Sequence, residues 1–144
     1  MIDPANVPPV TPDELLSRFA TQSGQFRKSD LTVKQELFVP HPRPECSVMR
    51  HRDAEQAEIW QIGHEVAASF PEVRTLYGRA DITALACSID SLHVIAKPIL
   101  PKNPNHADIE GWPASKADKK ALAQKLAAVA SKLIPPPKLV LITP

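Results

Sequence analysis

Apolar positions recur most regularly between Asp53 and Phe70. At 100° per residue, Ile59, Trp60, Ile62, Gly63, Val66, Ala67 and Phe70 share one broad arc, while Glu55 lies at its edge and Glu58, Gln61 and Glu65 fall outside it. The spacing predicts a helix, capped by Asp53 with Gln56 completing a capping box, and ended by Pro71. Gly63 interrupts the arc. A mid-helix glycine costs about 1 kcal/mol relative to alanine, so a strand or a second helix is expected to approach closely there. A further helix is predicted from Ser115 to residue 134, with Leu122, Leu126, Val129 and Leu133 on one face and Pro135-Pro136-Pro137 as its stop. Thr11-Pro12-Asp13-Glu14 has the form of a capping box and predicts a short N-terminal helix carrying Leu15, Leu16 and Phe19, ending at Gly24.

Alternation with a period of two marks the strands. Leu31–Val39 and Cys46–Arg52 are predicted to pair antiparallel across the stiff Pro40–Pro44 connection. Ile82–Ile89 and Leu92–Leu100 read as a hairpin about Asp90-Ser91, although Ala80–Cys87 also fits a helix. His106–Trp112 predicts another strand, and Lys138–Thr143 is a short β-prone run. The elements add up to a single α+β domain: a small, mostly antiparallel sheet packing one face against the two longer helices, with the short N-terminal helix closing an end. Residues 1–10 are expected as a mobile arm, 11–134 as the domain, and 135–144 as a proline-rich extension.

Composition changes this picture little. The chain has 144 residues, 43% hydrophobic and 23% charged, which suits one ordinary globular domain. A formal net charge of +1 argues against bulk capture of nucleic acid or of an anionic membrane. The longest weakly polar stretch, Ile82–Leu100, is broken by Asp90, His93 and Lys97, and is no membrane span. Two cysteines, Cys46 and Cys87, and no signal-like start make a reducing cytoplasmic setting the expectation.

Three groups of residues could carry chemistry. In a strand, His106, Asp108 and Glu110 share a face, and a histidine with two carboxylates suits proton transfer or a metal; the plain alternative is a solvated polar face. His-x-Asp is also the start of a facial iron triad, but no second histidine follows His106. Arg50 and Arg52 share a strand face beside His41, Arg43 and His51, with Arg79 nearby. Their planar forks suit a phosphate or carboxylate, against ordinary pairing with Glu45 or Asp53. The terminal Leu139, Val140, Leu141 and Ile142 are costly to leave in water, at about 1.5–3 kcal/mol per side chain. They either fold back as an edge strand or add to another chain's sheet.

Neither cysteine has a partner at zinc-ligand spacing, the four glycines form no phosphate loop, and the lysines of the last helix spread around it. No metal and no cofactor is expected. The reading that follows is a small accessory or interaction protein that binds a partner protein, as a homo- or hetero-oligomer, with no membrane role. The alternative is a small enzyme or binding protein for a nucleotide or nucleic acid. It would use Arg50, Arg52 and Arg79 for phosphate and His106, Asp108 and Glu110 as catalytic or metal-holding groups.

Overall fold

The structure, a computed structural model, describes residues 1–40 and 43–138. His41, Pro42 and the terminal Leu139, Val140, Leu141 and Ile142 lie outside the described residues. Five strands form one sheet: β1 (Leu15–Ala20), β2 (Cys46–Arg50), β3 (Gly78–Thr83), β4 (His93–Ala96) and β5 (His106–Glu110). Their order is β3-β1-β2-β5-β4, and every pairing is antiparallel. Two helices complete the α+β domain, α1 (Gln56–Ala68) and α2 (Lys116–Val129).

Helix α1 follows its apolar stripe; α2 does so at Leu122 and Leu126, whereas Val129 is 62% exposed and Leu133 lies beyond the helix end. In α1, Ile59, Trp60, Ile62, Gly63 and Ala67 are buried, and they pack with Phe19 and Met49 on the sheet. The cap sits two residues later than expected: the Glu58 carboxylate accepts the Glu55 backbone N–H at 3.0 Å, while Asp53 takes a positive φ of 55°. The close approach implied by Gly63 is that of β1, because a Cβ at this position would lie 2.7 Å from the Phe19 ring. In α2, Ser115 caps by accepting the Asp118 N–H at 3.0 Å, and Leu122, Ala123, Leu126 and Ala127 are buried.

The two helices do not share a face of the sheet, as the pattern suggested. Successive strand residues point to opposite faces. Phe19 and Met49 meet α1, whereas Leu16, Ala20, Val48, Ala80, Ile82, Ala107 and Ile109 belong to the cluster that contains α2. Both faces are therefore covered, and that accounts for most differences from the sequence expectations.

The short N-terminal helix is absent. Its start signal forms only a turn, in which the Glu14 carboxylate accepts the Thr11 N–H at 2.6 Å. The chain then extends into β1, between β2 and β3. Six residues of ladder on one side outweigh a helix too short to persist alone. Leu31–Val39 is not a strand either. It carries a 3-10 turn at Gln35–Leu37, and the neighbours Leu37 and Phe38 are both fully buried over the α2 face, which no two-sided strand with a wet face permits. β2 consequently pairs with β1 and β5 rather than with that segment.

The expected hairpin also comes apart. β3 begins at Gly78, residues 84–91 form turns, and β4 lies at the far edge of the sheet beside β5. The α2 helix ends near residue 129 because the following chain is drawn to the other edge. Ser131 and Ile134 donate backbone N–H groups to Asp81 and Arg79 of β3. At the N-terminus, Ile2 is 2% exposed, its N–H is held by Asn105 Oδ1 at 2.9 Å, and the Met1 ammonium lies 3.2 Å from Glu58. No helix among the described residues is long and apolar enough to cross a membrane.

Candidate functional site

The α1 face of the sheet carries an unexpected polar cluster. Ser17 on β1 and Asp81 on β3 are direct cross-strand neighbours, and His51 follows β2 on the same face. Ser17 Oγ lies 2.6 Å from Asp81 Oδ1 and 2.6 Å from His51 Nε2. Arg79, two residues before Asp81, places its Nε 3.2 Å from the same carboxylate. It donates from Nη2 to Gln56 Oε1 at 2.7 Å and stacks 4.8 Å from the Trp60 ring centre. Desolvation by itself raises the Asp81 carboxyl, but the neighbouring His51 imidazole at 3.6 Å, the Ser17 hydrogen bond and the Arg79 charge outweigh it and hold the group below its ordinary value.

Serine, histidine and aspartate are the residue types of a hydrolytic triad, yet the arrangement runs the wrong way. The single Ser17 proton is directed to Asp81, so the imidazole N–H donates to the serine oxygen instead of accepting its proton. Ser17 is fully buried as well. The cluster is an inter-strand tie. Asp81→Asn should lower stability at pH 7 by about 1–3 kcal/mol. Because the folded-state carboxyl is depressed, its contribution is present above the ordinary value of 3.8 and is lost as pH falls through the lower folded value. Urea midpoints of the two proteins should therefore begin to converge as the pH is taken below 3.8.

Arg50 and Arg52 do meet at a carboxylate, but it is the chain's own. Arg50 is 0% exposed, donating to Glu14 Oε1 at 2.7 Å, Glu14 Oε2 at 2.9 Å and the Pro8 and Pro9 carbonyls at 2.8 and 3.2 Å. Arg52 Nη1 lies 3.9 Å from Glu14 Oε2. This corrects the reading of Arg50 as an anion clamp, since a fork sealed on an internal partner offers nothing to a ligand. Arg79 does not join it, lying on the opposite face with Asp81.

His106, Asp108 and Glu110 share the α1 face of β5, as their spacing implies, and each has its own partner. His106 Nδ1 lies 2.8 Å from the Lys97 carbonyl and Nε2 lies 3.7 Å from Asp108. Ser47 Oγ donates to Asp108 at 3.2 Å, and Lys97 Nζ lies 3.5 Å from Glu110. Burial pushes the Asp108 carboxyl up, against the His106 charge and the Ser47 hydrogen bond. These residues are on the α1 side and Arg50 is on the α2 side, while Arg79, on the α1 side, is separated from β5 by β1 and β2 and paired with Asp81. Among the described residues no three His, Cys, Asp or Glu side chains converge as metal ligands. Both cysteines are buried, and desolvation raises both thiols, Cys87 to about 12.

Two features on the surface are more open. One is a pair of clefts around the half-buried Arg18. The first, about 340 Å³, runs between the end of α1, the start of β2 and the 97–105 loop, with His106 and Arg43 in its wall. The second, about 720 Å³, continues past Phe70 and Arg74 to the first turn of α2. The other is β4, an outer strand carrying Ile95 (38% exposed) and followed by a loop with Ile99 and Leu100 (each 54% exposed). Neither Arg18 nor Arg74 stood out in the sequence, because single arginines far apart carry no local signal. Compared with known protein families, with curated proteins and with solved structures, the chain matches none.

Proposed function

We propose that this protein works by binding another protein chain, through strand addition at the free edge of its sheet. The observation that carries the reading is the contrast between the two edges. At β3 the outer backbone groups of Arg79 and Asp81 are already taken by Ile134 and Ser131 of the same chain. At β4 the Lys97 N–H bonds the His106 carbonyl, which makes residues 97, 95 and 93 the inward-bonding positions and turns the N–H and C=O of Val94 and Ala96 outward. No hydrogen bond reaches those groups among the described residues. An open edge beside exposed apolar side chains is a ready template for another strand.

The occupant we assign is the apolar sequence Leu139, Val140, Leu141 and Ile142 of a second copy. Ile134 is tied to β3, and β4 lies four strand spacings away, about 19 Å. The five steps from Ile134 to Leu139 reach about 18 Å at most, while Ile134 sits one spacing outside β3 and the new strand one spacing outside β4, making the distance about 29 Å. A strand from this sequence beside β4 therefore comes from another chain.

Sedimentation and peptide titration test the reading. The full chain should self-associate, and truncation after Lys138 should leave a monomer that binds a synthetic peptide of residues 137–144. Val94→Pro removes an outward donor while sparing the ladder to β5. It should abolish both associations with an unfolding midpoint close to that of the parent. A full chain that stays monomeric at high micromolar concentration, together with no peptide binding, overturns the proposal.

A further inference from the structure

The double cleft around Arg18 concentrates positive charge far beyond what the chain as a whole carries. Its walls hold five cations, Arg18, Arg43, Arg74, Lys116 and Lys120, against two carboxylates, Glu36 and Glu45, in a protein of net charge +1. No ion pair within 4 Å engages any of the five among the described residues. The other two half-buried or buried arginines of the sheet, Arg50 and Arg79, each have a carboxylate.

Two of these cations are also held in place. Arg18 donates from Nε to the Leu37 carbonyl and from Nη1 to the Ser47 carbonyl, both at 2.8 Å, with no partner on Nη2 among the described residues. The Arg74 guanidinium stacks 3.6 Å from the Phe70 ring centre, and its Nη1 reaches Thr21 Oγ1 at 3.5 Å. Such anchoring means that little side-chain freedom remains to be lost when a ligand arrives. Lys116 and Lys120 stand one turn apart at the start of α2, where the helix dipole favours acidic side chains and opposes lysine. Local chemistry set against helix stability, with an open cleft alongside, points to a use for the charge. Between the cations, Phe19, Val66 and Phe70 give both clefts a common apolar wall.

We infer that this cleft binds a small organic phosphate carrying two or more phosphoryl groups. The phosphates lie among Arg18, Arg74, Lys116 and Lys120, and the apolar or aromatic body of the ligand lies along Phe70 and Val66. Planar arginine forks match phosphoryl oxygens in pairs, lysines add point charge, and the cleft volumes are those of small-molecule sites. Ile99 borders the first cleft, but the cations that define the site are not on β4, so substitutions at Val94 and at Arg74, Lys116 or Lys120 test the two readings separately.

Isothermal titration of the full chain with pyrophosphate, ATP and a single-stranded oligonucleotide, at low and at moderate salt, decides the matter. ATP and pyrophosphate should both bind, ATP more tightly because of its aromatic body, and both should weaken with salt. Lys116→Gln/Lys120→Gln, two exposed positions, should reduce affinity tenfold or more while leaving the unfolding midpoint near the parent's. Arg74→Gln should do the same. Lys28→Gln/Lys125→Gln removes equal charge at exposed positions outside the clefts and should leave binding unchanged. The inference is overturned if neither phosphate compound binds, if only the oligonucleotide binds, or if the control pair weakens binding as much as the cleft pair.

Discussion

Glu14→Ala should destabilise the protein by about 3–5 kcal/mol, the usual consequence of leaving a buried charge without its partner. Arg50 is fully enclosed, and Glu14 meets it through both oxygens, at 2.7 and 2.9 Å. Without the carboxylate, the guanidinium keeps only the Pro8 and Pro9 carbonyls. Arg50→Met alone should cost less, because Glu14 keeps the Thr11 N–H at 2.6 Å and Arg52 at 3.9 Å. The double change Glu14→Leu/Arg50→Met should recover most of the loss, since a buried pair replaced by apolar side chains of similar size is often neutral. Desolvation raises the Glu14 carboxyl, but the Arg50 and Thr11 hydrogen bonds and the Arg50 charge prevail and depress it. Its contribution is thus present above the ordinary value of 4.5 and is lost as pH falls through the lower folded value. Urea denaturation at pH 7 measures the size. A Glu14→Ala loss below about 1 kcal/mol would show that the pair is not structural.

Gly63→Ala should also destabilise, by about 1–3 kcal/mol, even though alanine is the better helix former by about 1 kcal/mol. The added methyl would sit 2.7 and 2.8 Å from Cε1 and Cδ1 of Phe19 and 3.2 Å from Cδ2 of Leu76. Phe19 is 8% exposed, and its backbone is paired with Arg79 of β3, so relieving the contact costs a displacement of the ring, β1 or α1. Phe19→Leu in the Gly63→Ala background should restore part of the loss, giving a coupling that two independent substitutions would not show. Thermal unfolding of the four proteins in that cycle measures it. If Gly63→Ala is stabilising, α1 does not lie against β1 at this distance.

Helix α1 was legible because its stripe, its glycine and its terminating Pro71 all lie within one short segment, and Trp60 packs where the stripe points. β5 was legible for the same reason, its alternation of Ala107 and Ile109 with polar neighbours being local. β1 and β3 were not. Ser17, Arg79 and Asp81 look like surface residues in the sequence, and only in the sheet do they find one another beneath α1. Arg50 showed the same limit from the other side: its pairing with a carboxylate was foreseeable, but not that the carboxylate is Glu14, folded onto it from the preceding strand's entrance. The charged cleft around Arg18 draws on β1, both helices and the loops between them, so no single stretch announced it.

The amino-acid order by itself determined the α+β class, the two long helices, the buried side of α1 and the Leu122–Leu126 part of that of α2, and the strands at Cys46 and His106. Each of these depends on backbone geometry and apolar spacing within a dozen residues. The folded arrangement alone decided that the Thr11–Ala20 segment extends rather than coils, that both sheet faces are covered, and which charges are buried in pairs. Strand pairing and charge burial depend on partners tens of residues away, whose contribution exists only once the chain has brought them together.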